Sequence, residues 1–351
     1  MAAWEELVRK VVPYTPGEQP NCSNIIKLNT NENPYPPSPK VLQVLQEIKI
    51  ENLRKYPDPT SQILVEALAE YYGVSKQQVF VGVGSDDVLA MSFLTFFNDS
   101  KPILFPDITY SFYDVWAELY RIPYKCQPLD ENFEIQTEDY LQECGGIVIP
   151  NPNAPTGIEK NLEELEKIIA GNPEIIVIID EAYIDFGGTS ALSLLSKYEN
   201  LLVVQTFSKS RSLAGMRIGY AFGNEKLIKY LNDVKYSFNS YTMDTTALLI
   251  GTEAVKDEVY FRETLQKVIH TRERTKKELQ RLGFIFPDSK SNFIFASHPK
   301  YQAKELFEAL KAADIYVRYF NKPRINNYLR ISIGTDQEMD VLIRFLEKYV
   351  L

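Results

Sequence analysis

Short apolar segments alternate with amphipathic helical patterns through the middle of the chain. The segments 146–149, 175–179 and 201–205 consist almost entirely of aliphatic residues, which is typical of strands that are buried on both faces of a parallel sheet. A helical pattern at 162–169 separates the first two. The alternation predicts an α/β fold with a mostly parallel central sheet. Ligands of such sheets bind at the carboxyl ends of the strands.

The pattern changes after about residue 250. A long charged helical segment at 257–282 is followed by short strand patterns and further helices, which predicts a smaller α+β domain. We therefore expect a large domain at residues 41–250 and a small C-terminal domain at 251–351. Residues 1–40 contain a proline-stiffened segment, and we expect them to form an arm that is partly joined to the small domain.

Composition argues against several classes of function. The net charge of −9 disfavours binding to nucleic acid, and no segment approaches the roughly 18–20 apolar residues of a membrane span. Cys22, Cys126 and Cys144 are too scattered for a zinc site or a disulfide framework, and they fit a reducing cytoplasm. His270 and His298 are the only histidines, so a metal site or a catalytic triad has little support. We expect a cytoplasmic protein with no metal, nucleic-acid or membrane partner.

A glycine and two polar residues follow the first strand of the large domain. Gly84, Ser85 and Asp86 come directly after the apolar segment 79–83 and begin a helical pattern. Free backbone amides at a helix N-terminus bind anions, and glycine permits close approach. The alternative is an ordinary helix cap by Ser85 or Asp86. A dinucleotide site is disfavoured because the third glycine of the fingerprint is missing.

Two further strand ends carry charged residues. Asp180 ends the apolar segment 175–179, where a carboxylate is costly to bury without a cationic or hydrogen-bonding partner; a helix cap and a protonated ring nitrogen are both possible partners. Lys209 follows 201–205 among hydroxyls, with Arg217 eight residues later. A solvated loop lysine is one interpretation, and a Schiff-base lysine beside a phosphate site is the other. The three strand ends together match the needs of pyridoxal phosphate.

Motifs in chain order support this cofactor. Asn-Pro-Asn-Ala-Pro-Thr-Gly at 151–157, Asp-Glu-Ala-Tyr at 180–183 and the segment 206–220 resemble the fold-type I aminotransferases. Within them, Leu-Asn-Thr-Asn-Glu-Asn-Pro-Tyr at 28–35 and Leu-Arg-Ile-Ser-Ile-Gly-Thr at 329–335 resemble the histidinol-phosphate aminotransferase family, as does Arg-Lys-Tyr-Pro-Asp-Pro after the first of them. The resemblance covers nearly the whole chain. It implies a fold-type I transferase with pyridoxal 5′-phosphate as its cofactor.

The resemblance also implies roles for the residues around the cofactor. Lys209 would form the internal aldimine and then move a proton between the substrate Cα and the cofactor C4′. Asp180 would pair with the pyridine nitrogen, Tyr183 would bind the ring oxygen, and Tyr110 would stack on the ring. The phosphate would be surrounded by Ser85, Asp86, Thr206, Ser208 and Arg217, together with Tyr56 from the partner subunit of a homodimer.

One motif departs from the family pattern. The asparagine that binds the ring oxygen usually precedes Pro-Thr-Gly directly, but here Ala154 holds that place and Asn153 comes one residue earlier. Either Asn153 reaches the oxygen through a shifted loop, or Tyr183 acts with less help. We expect Asn153 to take the role.

Four residues match positions of the family's substrate pocket: Tyr14, Asn33, Arg318 and Arg330. A guanidinium at Arg330 suits a carboxylate or a phosphate, although structural pairing is the alternative for each residue. The implied reaction transfers the amino group of histidinol phosphate to 2-oxoglutarate, which gives imidazole acetol phosphate and glutamate in histidine biosynthesis. The alternatives of the same fold are an aromatic amino-acid aminotransferase and a threonine-phosphate decarboxylase. The alternative of another class is a non-catalytic binding or regulatory module.

Overall fold

The computed structural model describes residues 3–20 and 25–351, and it contains two sheets. The larger has seven strands: β2 (Val79–Gly82), β3 (Ile103–Pro106), β4 (Tyr124–Gln127), β5 (Gly146–Pro150), β6 (Val177–Asp180), β7 (Leu201–Thr206) and β8 (Gly219–Gly223). They are ordered β2-β8-β7-β6-β5-β3-β4. Every pair is parallel except the two that β8 makes with β7 and β2. The mostly parallel α/β sheet is therefore confirmed.

Helices cover both faces of this sheet and connect its strands. They are α1 (Pro39–Glu47), α2 (Gln62–Tyr72), α3 (Ser85–Phe96), α4 (Tyr113–Tyr120), α5 (Leu162–Gly171), α6 (Glu225–Phe238) and α7 (Thr245–Lys256). Apolar strand residues are completely buried from both sides, as at Ile147 and Val148 or at Val203 and Val204. This two-sided burial explains why the strand sequences are continuously apolar.

The smaller sheet combines the two ends of the chain. Its strands are β1 (Ile26–Leu28), β9 (Phe293–Ala296), β10 (Ile315–Tyr319) and β11 (Leu329–Ser332), in the order β1-β10-β11-β9. Strand β1 runs parallel to β10, with Ile26 opposite Ile315. The helices α8 (Glu258–Arg281), α9 (Ala303–Ala312) and α10 (Asp336–Val350) accompany this sheet. Residue numbers 40 and 250 as domain boundaries stay a prediction.

The proline-stiffened segment at 27–39 begins in β1, which is an edge strand of the smaller sheet, and leads to α1. One of the short strand patterns expected after the long helix, at 284–286, forms no strand: it makes only an isolated bridge between Ile285 and Ser297. Cys22 lies outside the described residues. In the part of the chain that the structure describes, no helix has the length and apolar character that a bilayer crossing requires.

Turns at the carboxyl ends of the strands direct the polar residues to one edge of the large sheet. Gly84, with φ +85°, precedes α3 as its N-cap, a conformation that suits glycine. Asp180 is the last residue of β6, and Lys209 follows β7 by three residues. Since these strands are parallel, their carboxyl ends lie side by side and the three groups converge.

Candidate active site

A cavity of about 170 Å³ lies at this edge of the large sheet. Its wall contains eight of the residues that the sequence predicts for cofactor binding: Ser85, Asp86, Tyr110, Asp180, Tyr183, Ser208, Lys209 and Arg217. They come from the carboxyl ends of β2, β3 and β6 and from the segment between β7 and β8. The convergence follows from the parallel sheet, which places the ends of distant sequence segments next to one another.

Lys209 projects into this cavity from the loop after β7. Its Nζ lies 3.4 Å from the carbonyl oxygen of Thr30 and 5.7 Å from the centre of the Tyr183 ring. Among the described residues it makes no salt bridge, so its amine is available for covalent attachment. Asn33 fixes the loop from outside, because its Nδ2 donates to the carbonyl oxygens of Lys209 and Ser210, each at 3.1 Å. Asn33 therefore contacts the lysine loop and is absent from the cavity wall.

Asp180 is a buried carboxyl group on the opposite wall. Tyr113 donates to its Oδ2 at 2.7 Å, and the backbone N–H of Ala182 donates to Oδ1 at 3.3 Å. Burial raises the pKa of Asp180 to about 6, although both hydrogen bonds oppose the rise. No lysine or arginine in the described residues forms an ion pair with this carboxylate. A cationic ring nitrogen in the cavity would supply the missing partner.

The amino end of α3 and Arg217 form a third wall. The Arg217 Nη2 lies 3.1 Å from Oδ2 of Asp86, and the Tyr110 hydroxyl donates to the other oxygen of Asp86 at 2.7 Å. An added Cβ on Gly84 would lie 2.4 Å from Arg217 Nη2, so a side chain at this position would displace the guanidinium. Backbone amides and a guanidinium at this wall match a phosphate dianion.

Two hydroxyls near this wall differ in their position. Ser208 lines the cavity, whereas Thr206 is buried behind it. The Thr206 hydroxyl donates to Ser208 Oγ at 3.0 Å and accepts from the Ser208 backbone N–H at 3.1 Å. Thr206 thus orients Ser208, and its direct contact with a phosphate stays a prediction.

The Asn-Pro-Asn-Ala-Pro-Thr-Gly loop places Ala154, rather than Asn153, on the cavity wall. Asn153 is buried, and its Nδ2 donates to the carbonyl oxygen of Ile108 at 3.0 Å and to Thr156 Oγ1 at 3.1 Å. These bonds hold the loop in place and turn the amide away from the cavity. The contact between Asn153 and the ring oxygen therefore stays a prediction, and Tyr183 is the hydroxyl that lines the cavity on that side.

A region rich in arginine adjoins the cavity. Arg318 and Arg330 are register partners on β10 and β11, and neither forms a salt bridge within the described residues. The Nη2 of Arg330 donates to the carbonyl oxygen of Asn29 at 3.0 Å, while its Nε is buried without a partner. Burial and the neighbouring Arg318 charge lower the pKa of Arg330. Two uncompensated guanidiniums at one place favour a bound anion.

Tyr14 and Tyr56 do not line this cavity. Tyr14 stacks on Phe112 with ring centroids 4.2 Å apart, and it lines a second cavity of about 670 Å³ together with Arg318. Tyr56 is 81% exposed and stacks on Tyr241 at 4.6 Å. It does not line the cavity of its own chain, so a role at a cofactor requires a second subunit.

Sequence reasoning missed part of the wall. Thr30 and Glu32 also line the cavity, because β1 directs the segment that follows it across the mouth. Glu32 pairs with Lys27, and this bond lowers its pKa against the effect of burial. The asparagine-rich motif at 28–35 was the only local signal. The pairing of β1 with β10 places this segment, and most of the chain lies between these two strands in the sequence.

The residues present fit pyridoxal phosphate. Among residues 3–20 and 25–351, Lys209 makes no salt bridge and Asp180 has no ion-pair partner. Arg217 and the start of α3 form an anion site. The orphaned Nε of Arg330 marks a separate place for an anionic substrate group. Each observation corresponds to one part of the cofactor or its substrate.

Comparison with known proteins agrees with this geometry. The family model for aminotransferase class I and II matches residues 23–346. A histidinol-phosphate aminotransferase of Lactococcus lactis subsp. cremoris (strain MG1363) is 54% identical over 99% of this chain and 98% of its own. One from Clostridium botulinum (strain Langeland / NCTC 10281 / Type F) is 52% identical with the same coverage.

A solved structure shares the fold. The histidinol-phosphate aminotransferase of Sinorhizobium meliloti, in complex with pyridoxal-5′-phosphate, superimposes with a TM-score of 0.85 at 23% identity, covering 93% of this chain and 90% of its own. The family match spans most of the sequence, and the curated relatives cover nearly all of it. The chain therefore belongs to the class I and II aminotransferases, which are pyridoxal-phosphate-dependent enzymes.

Proposed function

We propose that this enzyme is a cytoplasmic histidinol-phosphate aminotransferase of histidine biosynthesis. It transfers the amino group of L-histidinol phosphate to 2-oxoglutarate and releases imidazole acetol phosphate and L-glutamate. The observation that carries the substrate assignment is the 54% identity to a histidinol-phosphate aminotransferase over 99% of this chain. The lysine, carboxyl and arginine groups of one cavity support the chemistry.

The bound cofactor supplies an aldehyde that binds amines and a ring that accepts electron pairs. Lys209 would hold it through its amine, and once freed that amine would serve as the base that takes a proton from the substrate Cα and as the acid that delivers it to the cofactor C4′. Asp180 keeps the ring nitrogen protonated, because a buried carboxylate stabilises a neighbouring cation. Ser85, Ser208 and Arg217 would hold the cofactor phosphate, and Tyr110 would lie against the ring.

The arginine pair provides for two different anions. Histidinol phosphate carries a phosphate and no carboxylate, whereas glutamate carries carboxylates and no phosphate. Arg318 and Arg330 lie in register without a carboxylate partner in the described residues, and a guanidinium binds either anion with paired hydrogen bonds. Both half-reactions are therefore compatible with a single site.

A half-reaction experiment tests the substrate. The holoenzyme is mixed with histidinol phosphate, phenylalanine or threonine phosphate, each without a keto acid, and the visible band of the lysine-bound cofactor is followed. Rapid loss of the band with histidinol phosphate, at least about tenfold faster than with phenylalanine, is expected. Faster loss with phenylalanine would identify an aromatic aminotransferase, and release of carbon dioxide from threonine phosphate a decarboxylase. Lys209→Ala is the control and should show no lysine-bound band.

We also propose that the enzyme is a homodimer in which Tyr56 reaches the cofactor phosphate of the partner subunit. Large apolar side chains on both sides of Tyr56 in the sequence are exposed: Leu42, Leu45, Ile50, Leu53 and Ile63. Exposed apolar side chains in such number are typical of subunit interfaces. The exposed Tyr56 hydroxyl, remote from the cavity of its own chain, supports its use in a neighbouring one.

Mixed dimers test this arrangement. A Lys209→Ala protomer is co-expressed with a Tyr56→Phe protomer, and the hybrid is isolated by two affinity tags. If Tyr56 acts across the interface, the hybrid holds one site with native Lys209 and native Tyr56, and its cofactor affinity at that site equals that of the wild type. If Tyr56 acts within its own chain, the hybrid shows only the reduced affinity of the Tyr56→Phe homodimer. A Tyr56→Phe homodimer with wild-type affinity would show that Tyr56 does not bind the phosphate at all. Light scattering gives the oligomeric state directly.

A further inference from the structure

The hydroxyl of Tyr183, which follows β6 of the larger sheet, accepts a hydrogen bond from Asn31, which follows β1 of the smaller sheet. The Nδ2 of Asn31 lies 2.9 Å from the Tyr183 hydroxyl oxygen and donates to it. Asn31 is almost completely buried, at 1% exposure. The contact therefore lies inside the protein, where solvent does not compete for it.

The orientation of the Asn31 amide is fixed by its neighbours. The Asn31 backbone N–H donates to Ser332 Oγ at 2.9 Å, and Ser332 Oγ donates to Asn31 Oδ1 at 3.0 Å. With Oδ1 engaged by Ser332, the other amide atom, Nδ2, faces Tyr183. Asn292 Nδ2 holds the Asn31 carbonyl oxygen at 2.9 Å. The residue is thus anchored to β11 and to the start of β9.

The phenol oxygen of Tyr183 accepts the hydrogen bond from Asn31, so the phenol proton points away from Asn31. The phenol of Tyr183 lies at the cavity wall, beside Ala154 and Lys209. Asn31 occupies an acceptor position on the phenol oxygen and has no acceptor atom turned toward it. The phenol proton is consequently free to point into the cavity, where the ring oxygen of the cofactor is expected.

The loop before Pro155 makes this arrangement important in the present chain. Ala154 has no donor, and Asn153 donates to Ile108 and Thr156 instead of the cavity. Tyr183 is then the donor on which the ring oxygen depends on this side. If the Tyr183 hydroxyl loses its orientation, no other side chain of this loop donates to the ring oxygen in its place.

We propose that Asn31 is a positioning residue that acts through Tyr183, and that it sets the proton affinity of the lysine-bound cofactor. A phenol proton directed at the ring oxygen stabilises that oxygen as an anion. The proton shared between the ring oxygen and the lysine nitrogen is then released at lower pH. The inference rests on the assignment of Tyr183 to the ring oxygen and is independent of which amine is the substrate.

The test is a pH titration of the visible absorption of the holoenzyme, with no substrate present. Asn31→Gly is the main variant, because Asn31 has φ +57° and glycine adopts that conformation without strain. Loss of the donor should raise the pH midpoint by about 0.5–1 unit. Asn172→Ala is the matched control: its buried amide donates to the carbonyl oxygens of Tyr140 and Ile168, and none of these residues lines the cavity, so the midpoint should not move.

A double-mutant cycle with Tyr183→Phe separates this inference from the role of Tyr183 itself. Tyr183→Phe alone should raise the midpoint, and Asn31→Gly should add less than about 0.2 unit to it. If Tyr183→Phe leaves the midpoint unchanged, the ring-oxygen assignment is wrong. If Tyr183→Phe moves it but Asn31→Gly does not, or if the two shifts add fully, the inference about Asn31 is overturned.

A second variant keeps the test decisive if Asn31→Gly does not fold. Asn31→Asp keeps the shape but accepts the phenol proton instead of donating, so it should also raise the midpoint. Its negative charge contributes independently of Tyr183, and the same cycle with Tyr183→Phe subtracts that part. A remaining coupling of at least about 0.5 unit supports the inference, and a smaller one contradicts it.

Discussion

The hydroxyl of Tyr113 donates a 2.7 Å hydrogen bond to Oδ2 of Asp180, and both side chains are buried. The bond stabilises the carboxylate form against the effect of burial. Tyr113 belongs to the first turn of α4, and Asp180 ends β6. The chain therefore uses one buried phenol to keep a charged acid available at the cavity wall.

Replacing Tyr113 by phenylalanine should weaken cofactor binding. Hydrogen bonds to charged groups contribute about 1.5–3 kcal/mol, so the dissociation constant of pyridoxal phosphate should rise by about tenfold or more. Titration of the cofactor-free protein, followed by fluorescence, measures it. Tyr140→Phe is the matched control, because the Tyr140 hydroxyl is buried without a partner and distant from the cavity wall. Equal affinity of Tyr113→Phe and wild type would refute the role.

The raised pKa of Asp180 predicts a pH dependence of the cofactor-free protein. Its folded value of about 6 exceeds the ordinary 3.8, so the folded chain binds this proton more tightly than the unfolded chain. The resulting stability is complete below about pH 4 and is lost as the pH rises through about 6. Asp180→Asn removes this contribution. Between pH 5 and pH 8, the free energy of unfolding of Asp180→Asn should therefore fall by about 1 kcal/mol less than that of the wild type. Urea denaturation at the two pH values measures it.

Glu181 serves as an internal reference for that comparison. Burial raises its pKa to about 7, with the same sign, but it stays in both proteins and cancels in the difference. An identical slope of stability against pH for wild type and Asp180→Asn would show that Asp180 titrates normally.

Arg330→Lys should impair substrate binding while leaving the cofactor in place. Lysine keeps the charge but loses the paired donors of a guanidinium. We expect the KM for histidinol phosphate to rise about tenfold or more, with an unchanged visible cofactor band. Arg281→Lys, at an exposed ion pair with Glu278, is the control and should behave as wild type. A normal KM for Arg330→Lys would contradict the assignment.

Gly84→Ala should disturb the phosphate site. The added methyl would lie 2.4 Å from Arg217 Nη2, and the residue has φ +85°, so both space and backbone conformation oppose it. Affinity for pyridoxal phosphate should fall by about tenfold or more. Gly215→Ala, where an added methyl meets no atom within 4 Å, should keep full affinity. The two variants compared in one titration separate the effect of Gly84 from a general sensitivity to alanine.

The residues at strand ends were predictable because a parallel sheet brings such ends together. Asp180 and Lys209 each follow an apolar segment that is recognisable without any other information, so their convergence follows from the fold class. Arg217 was predictable because it lies eight residues after Lys209 in the same segment of the sequence. These positions combine a local sequence signal with a general rule of sheet topology.

Other residues depend on contacts that no local pattern announces. Asn33 was expected at the substrate, yet its amide binds the backbone of the Lys209 loop. Asn153 was expected at the ring oxygen, yet it donates to Ile108, 45 residues earlier. An asparagine side chain finds partners in many directions, and only the three-dimensional arrangement of distant segments decides among them.

The parallel pairing of β1 with β10 has a consequence for the synthesis of the protein. The strand made first on the ribosome has its partner, opposite Ile315, among the last residues to emerge. Asn31, which follows β1 and contacts Tyr183, obtains its anchoring at Ser332 only after that. Such distant contacts form late. The site around Lys209 is thus completed only after the segment that carries Ser332 has been synthesised.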